Sequence, residues 1–156
     1  MDCRSTRGSG PVPIERAIMS GTAPDGGLHV PVSLPAFRPE DFGRGAHFAD
    51  VAHQLLLPFF AGSSLEDRLA DICAEALNFP VPVRQLEDAA AGLSVLEMFH
   101  GPTAAFKDVG ARFLAACMQR IIGDGRYAQP PVTIIVATSG DTGGAVAAAF
   151  HRRPGT

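Results

Sequence analysis

The chain has 156 residues, about one domain's worth, with 46% hydrophobic and 19% charged positions, which excludes a disordered chain and allows a core held by neither metal nor disulfide. A formal net charge of −3 gives no basic footprint for nucleic acid. Of the 13 Lys+Arg residues, all but Lys107 are arginine. A genome that prefers arginine codons accounts for the arginines, but not for where the one lysine stands.

Cys3, Cys73 and Cys117 are odd in number and far apart, so a disulfide framework and a zinc site are not expected. Cys73 and Cys117 fall on apolar helix faces and read as core residues. The first residues lack the apolar region of a secretory signal, and no apolar run approaches the ~18–20 residues of a membrane span. A cytoplasmic protein with no membrane partner is expected. The five histidines include no i,i+4 pair, so no metal site is expected either.

Residues 1–37 are rich in Gly and Pro and predict irregular or short-strand structure, with a tight turn at Pro24-Asp25-Gly26-Gly27. Phe48, Val51, Ala52, Leu55, Leu56 and Phe59 have helical spacing and predict a helix from Phe48 to Phe60. A second helix, opened by Ser63-Ser64-Leu65-Glu66, lines Leu65, Leu69, Ile72, Cys73, Ala76 and Leu77 on one face and ends before Pro80. Leu93–Phe99 predicts a strand, and His100-Gly101-Pro102-Thr103 a loop. A helix follows from about Ala105, with Phe106, Val109, Phe113, Cys117, Arg120 and Ile121 on one face, and stops at Gly123-Asp124-Gly125. Val132–Ala137, almost all apolar and β-branched, predicts a buried strand. It runs into Thr138-Ser139-Gly140-Asp141-Thr142-Gly143-Gly144 and an alanine-rich helix over about 143–151. The second half is thus a strand–loop–helix unit repeated, which predicts a parallel sheet in an α/β fold, with both loops at the carboxyl ends of the strands where ligands bind.

Lys107 falls in the first turn of a helix, where the positive end of the dipole and the apolar Ala104, Ala105 and Phe106 disfavour an ammonium. Asp108 favours it. A neutral amine is what attack on a carbonyl requires; a solvated lysine on a helix surface is the common alternative. The loop 139–143 is made of small residues at a helix start, suited to close backbone approach and to an anion. It carries neither a Walker sequence nor the Gly-x-Gly-x-x-Gly spacing. A simple capping turn, with Asp141 or Thr142 as the cap, is the plainer reading of it.

Taken together, His100-Gly101-Pro102-Thr103-Ala104-Ala105-Phe106-Lys107-Asp108, the stretch Ala137 to Gly143, the segment Ala23 to Pro31 with its Asp25-Gly26-Gly27-Leu28, and Ser5-Thr6-Arg7 closely resemble the motifs of threonine synthases, in order and over essentially the whole chain. Cys3 stands where an aromatic is usual and His29 where tyrosine is usual. The resemblance implies an α/β enzyme of the fold-type II pyridoxal-phosphate group, with an N-terminal domain over 1–82 and the start of the cofactor-binding domain over 83–156. It implies conversion of O-phosphohomoserine and water to threonine and phosphate, with Lys107 forming the Schiff base to pyridoxal 5'-phosphate and later shuttling protons. Ser139, Gly140, Asp141 and Thr142 would face the cofactor and the substrate carboxylate, and His100 and Thr103 would line the approach and contact the substrate. A phospho-lyase or related β-replacing enzyme shares such motifs, and a non-catalytic product acting through a partner chain is the reading outside enzymology. The family's chains run to several hundred residues, and their glycine- and asparagine-rich phosphate loop comes after this stretch. The resemblance therefore implies an N-terminal portion, inactive alone and partnered by the rest of the family's chain, with its sheet cut short and an apolar face uncovered.

Overall fold

The structure, a computed structural model, describes residues 1–43, 45–86, 92–125, 131–138 and 140–156. Three short strands open the chain: β1 (Asp2–Ser5), β2 (Val12–Pro13) and β3 (His29–Pro31), antiparallel in the order β2-β1-β3, with Cys3 opposite Val12 and Ser5 opposite His29. Between β2 and β3 lies a helix that the Gly/Pro-rich composition concealed, α1 (Ile14–Ser20). Pro13 precedes it at φ −55°, already suited to a helix entry, and Gly21, at φ +68°, ends it by donating its N–H to Ala17. Buried Ala17 and partly buried Ile18 hold α1 to the core, and the buried Glu15 carboxylate accepts from the N–H and hydroxyl of Ser64 at 2.7 and 3.0 Å.

The expected turn forms at residues 23–27, where Gly26 donates to Ala23 and Ala23 to Gly27. Asp25 ties it to β1. Its carboxylate accepts from the hydroxyls of Ser5 and Ser9, both at 2.6 Å, and from the N–H groups of Ser9 and Gly27. These bonds, Ser5 first, hold the carboxyl well below the usual carboxylate range. A group lowered in this way stabilises the fold above its ordinary value near ~4, and that contribution is lost as pH falls through the folded value. Asp25→Asn is therefore expected to flatten the fall in the urea midpoint between about pH 4 and pH 2. Equal slopes for the two proteins would contradict the assignment.

Helix α2 (Phe48–Phe60) has the predicted bounds, with Pro58 accommodated in its last turn. A single 3-10 turn, Glu66–Arg68, leads into α3 (Leu69–Ala76). All six residues expected on that face, Leu65 to Leu77, are buried. With Phe60 they form one apolar cluster against α4 (Lys107–Gly123). The predicted α4 face is only half of what is buried. Val109, Phe113, Cys117 and Ile121 meet α2 and α3, while Ala111, Ala115, Met118 and Ile122 meet α5 (Asp141–Phe150) through Ala145, Ala149 and Phe150. Phe106, expected on the buried face, is exposed. Alanine contrasts weakly with polar neighbours, so the second stripe leaves little trace in a hydrophobic pattern.

The predicted strand at 93–99 reduces to β5 (Ser94–Leu96), paired antiparallel with β4 (Val83–Gln85). The predicted strand at 132–137 and the parallel sheet do not form among the described residues. Strand identity needs a paired backbone, and no described segment forms a strand ladder with 131–138. Val132 N–H instead donates to Gly155 O at 2.8 Å, and Val132 and Ile134 pack on the α4–α5 cluster while Ile135 remains 88% exposed.

Arginines knit the helices together. Arg112 donates to the carbonyls of Glu75 and Ala76 at the end of α3, and the Glu75 carboxylate accepts from Arg120 at 3.0 Å and Arg153 at 2.7 Å. Burial alone would raise the Glu75 carboxyl, but the two guanidinium partners outweigh it and hold the group low. The planar forks at Arg112 and Arg153 each serve more than one acceptor, a geometry that a lysine does not offer.

Cys73 and Cys117 sit in the core as expected, and Cys3 is also buried. Burial pushes the Cys73 thiol up to about 11 and the Cys117 thiol up to about 12, from the ordinary 9.0. Both thiols are expected to resist iodoacetamide in the native chain at pH 8 and to label fully in denaturant, as read by intact mass. Full labelling of both without denaturant would contradict this packing. Among the described residues no helix is long and apolar enough to cross a membrane.

Candidate functional site

The loop 100–106 is wound around one carboxylate. Asp108, in the first turn of α4, is 1% exposed, with one oxygen accepting the Thr103 N–H and the other the Thr103 hydroxyl, both at 2.8 Å. Gly101 lies directly against it: a Cβ there would stand 2.5 Å from Asp108 Oδ2 and 2.8 Å from its Cβ, so only glycine fits. Ala104 N–H closes a turn onto Gly101 O at 3.1 Å, with Ala104 in the left-handed region at φ +54°. That conformation costs an alanine about 1–2 kcal/mol and persists only where its surroundings impose it. From its place in the sequence, Asp108 is expected to favour the charged form of Lys107. The structure turns it inward to the loop instead.

Lys107 therefore points elsewhere. It is half-buried, with Nζ 4.3 Å from the centroid of the Phe106 ring and no ion pair among the described residues. It lines a cavity of about 400 Å³ with Thr138, Gly140, Asp141 and Thr142. A second hollow, of about 360 Å³, shares Lys107 and Thr142 and is otherwise apolar, walled by Met98, Phe106, Leu114 and Val146 among others. The amine thus stands between a polar and an apolar compartment.

The start of α5 is capped differently from the expectation. Neither Asp141 nor Thr142 serves as the cap; Gly140 occupies that position, and Gly143 N–H donates to Thr138 Oγ1 at 2.8 Å. A Cβ at Gly143 would stand 2.6 Å from Thr138 Oγ1, so a side chain there would displace that hydroxyl. Thr138 is the residue that the sequence reading left out of the site. Its signal was present, a hydroxyl residue directly before the small-residue loop. Ser139 lies outside the described residues.

Of the expected residues, the structure brings Lys107, Gly140, Asp141 and Thr142 together and leaves His100 and Thr103 off the walls of both hollows. His100 Nε2 is 2.8 Å from Glu97 Oε2, with its ring beside Phe99. Glu97 lies 3.9 Å from Arg84 as well. A larger cavity of about 730 Å³, between the start of α2 and residues 77–82, holds none of the expected site residues. His47 is the only ionisable side chain in its lining, so size alone does not mark the chemistry.

Residues 3–77 match the family model described as threonine synthase N terminus. A threonine synthase of Serratia marcescens is 38% identical over 142 residues, covering 90% of this chain and 31% of the relative. The crystal structure of PLP-bound threonine synthase from Brucella melitensis superposes with a TM-score of 0.87 at 37% identity, covering 99% of this chain and 34% of that one. The threonine synthase structure from Escherichia coli gives 0.85 at 35% identity and similar coverage. The chain spans about a third of the length of the relatives it matches.

Proposed function

We propose that this chain, which is similar to the amino-terminal third of threonine synthases, carries the amine nucleophile of a pyridoxal-phosphate enzyme converting O-phosphohomoserine and water to threonine and phosphate. The observation that carries this reading is the single lysine lining one cavity with the start of α5.

The residues present fit the cofactor by the chemistry of their donors. Its reactive group is an aldehyde, and Lys107 offers the only side-chain amine in the chain. When bound, the cofactor supplies an electron sink for carbanions. Lys107 would hold it through Nζ, and the same amine would carry protons to and from the substrate's carbon atoms. Gly140, Asp141 and Thr142 would face the substrate carboxylate, Ser139 is assigned the same role from its place in the sequence, and the positive end of α5 favours that anion. His100 and Thr103 are assigned to the approach from their place in the loop before the amine, with Thr103 making no contact with the ligand itself. The remaining two thirds of the family's length completes the site, so turnover is assigned to the complete protein rather than to these 156 residues alone. The boundary between an N-terminal domain, 1–82, and the cofactor-binding domain from 83 onward belongs to the same proposal.

The test is chemical capture. Pyridoxal 5'-phosphate added to the chain, followed by borohydride reduction and peptide mass analysis, should give an adduct at Lys107 in excess over the α-amine of Met1. An adduct at Met1 alone would overturn the reading.

A further inference from the structure

We propose that Asp108 and Thr103 form a positioning pair for Lys107, a clasp that fixes the direction in which the amine is presented while touching neither cofactor nor substrate themselves. The proposal rests on the reading of Lys107 as the aldehyde-reactive amine.

Lys107 and Asp108 are consecutive at the start of α4, so fixing one side chain fixes the backbone that aims the other. Asp108 is fixed as firmly as a side chain can be. It is fully buried, both its oxygens accept from Thr103 at 2.8 Å, and Gly101 is pressed against its Cβ and carboxylate. The first turn of α4 is in turn bonded to the loop, Asp108 N–H to Ala105 O and Val109 N–H to Phe106 O. Ala104 keeps its left-handed backbone in the middle of this closed path. A lysine needed only for its charge would require none of these constraints. On this view the Thr103 hydroxyl is committed to the loop through its proton.

The chain carries two aliphatic amines, the α-amine of Met1 and Lys107 Nζ, which gives an internal reference. The rate of pyridoxal 5'-phosphate capture at Lys107 is measured relative to that at Met1, for the wild type, Thr103→Val, Thr103→Ser and Asp108→Asn. Urea unfolding of each variant defines conditions in which it is folded. Thr103→Val and Asp108→Asn are expected to lower the Lys107/Met1 ratio by roughly tenfold, the scale set by losing one hydrogen bond to a charged group. Thr103→Ser should restore it, because the hydroxyl returns. A ratio that stays at the wild-type value in folded Thr103→Val overturns the clasp, whatever the change in stability. Failure of the wild type to react at Lys107 would instead overturn the underlying reading of the lysine.

Discussion

Lys107→Arg is expected to remove the pyridoxal-phosphate adduct from its position entirely while leaving the unfolding free energy within about 0.5 kcal/mol of the wild type. The two halves of this expectation have separate causes. A guanidinium keeps the positive charge and stacks on an aromatic ring at least as well as an ammonium, so the contact with Phe106 is retained. Lys107 has no ion pair among the described residues to lose, and its half-buried stem faces an open hollow rather than a packed wall. A guanidinium cannot attack the aldehyde, however, because it does not give up its proton in a protein. Mass analysis after borohydride and a urea curve check both halves. An undiminished adduct in the arginine variant would remove the lysine from the chemistry, and a large loss of stability would make it a structural residue.

The largest structural effect is expected from Leu69→Ala, at about 2–5 kcal/mol. Leu69 is wholly buried at the first residue of α3, in one cluster with Phe60, Leu65, Ile72 and Cys117. Alanine there forfeits the transfer energy of three carbons and leaves a void bounded by three helices that cannot close on it. A domain of ordinary stability holds about 5–15 kcal/mol, so the variant is expected to be partly unfolded at physiological temperature. Leu55→Ala is the matched control. Leu55 has the same helical spacing as its buried neighbours on α2 but is 42% exposed, and its loss is expected to cost less than half as much. Equal costs in urea titrations would show that the packing around α2 and α3 is described wrongly.

The contrast between those leucines marks how far the sequence carries. The buried face of α3 was legible because Leu69, Ile72, Cys73 and Ala76, with Leu65 before the helix and Leu77 after it, sit among polar residues, so periodicity and burial agree; its start was not, since a 3-10 turn at Glu66–Arg68 precedes it. Helix α2 was legible in extent but not in orientation. Its apolar residues go nearly all the way round, and which of them face inward is decided by α3 and α4. Helix α1 was hidden by surrounding glycines and prolines, since what holds it is tertiary: buried Ala17 and the Glu15–Ser64 bonds across 49 residues. The strand at 132–137 failed for the opposite reason. Its β-branched run has the right local preference, but a strand is a relation between two backbones, and local preference does not supply the second. At the site, residue identity located Lys107 and the small-residue loop. The inward turn of Asp108 was not legible, because a Lys-Asp pair in sequence suggests an ion pair, and only the loop's path shows the carboxylate spoken for by Thr103.

Helices α4 and α5 lie side by side with their first residues, Lys107 and Asp141, on the same cavity. Their backbone dipoles therefore run the same way, and two partial positive poles are held together at one place. The alanine seam between them, Ala111 and Ala115 against Ala145 and Ala149, supplies the attraction that keeps this arrangement closed. Asp108 and Asp141 relieve part of the repulsion from within. An anion resting in the cavity would relieve more, and it would do so only while the helices stay packed. Occupancy and folding then draw on the same free energy: a ligand at a hundred times its dissociation constant adds about 2.7 kcal/mol to the folded state. The melting temperature of the chain becomes a gauge of what the cavity holds.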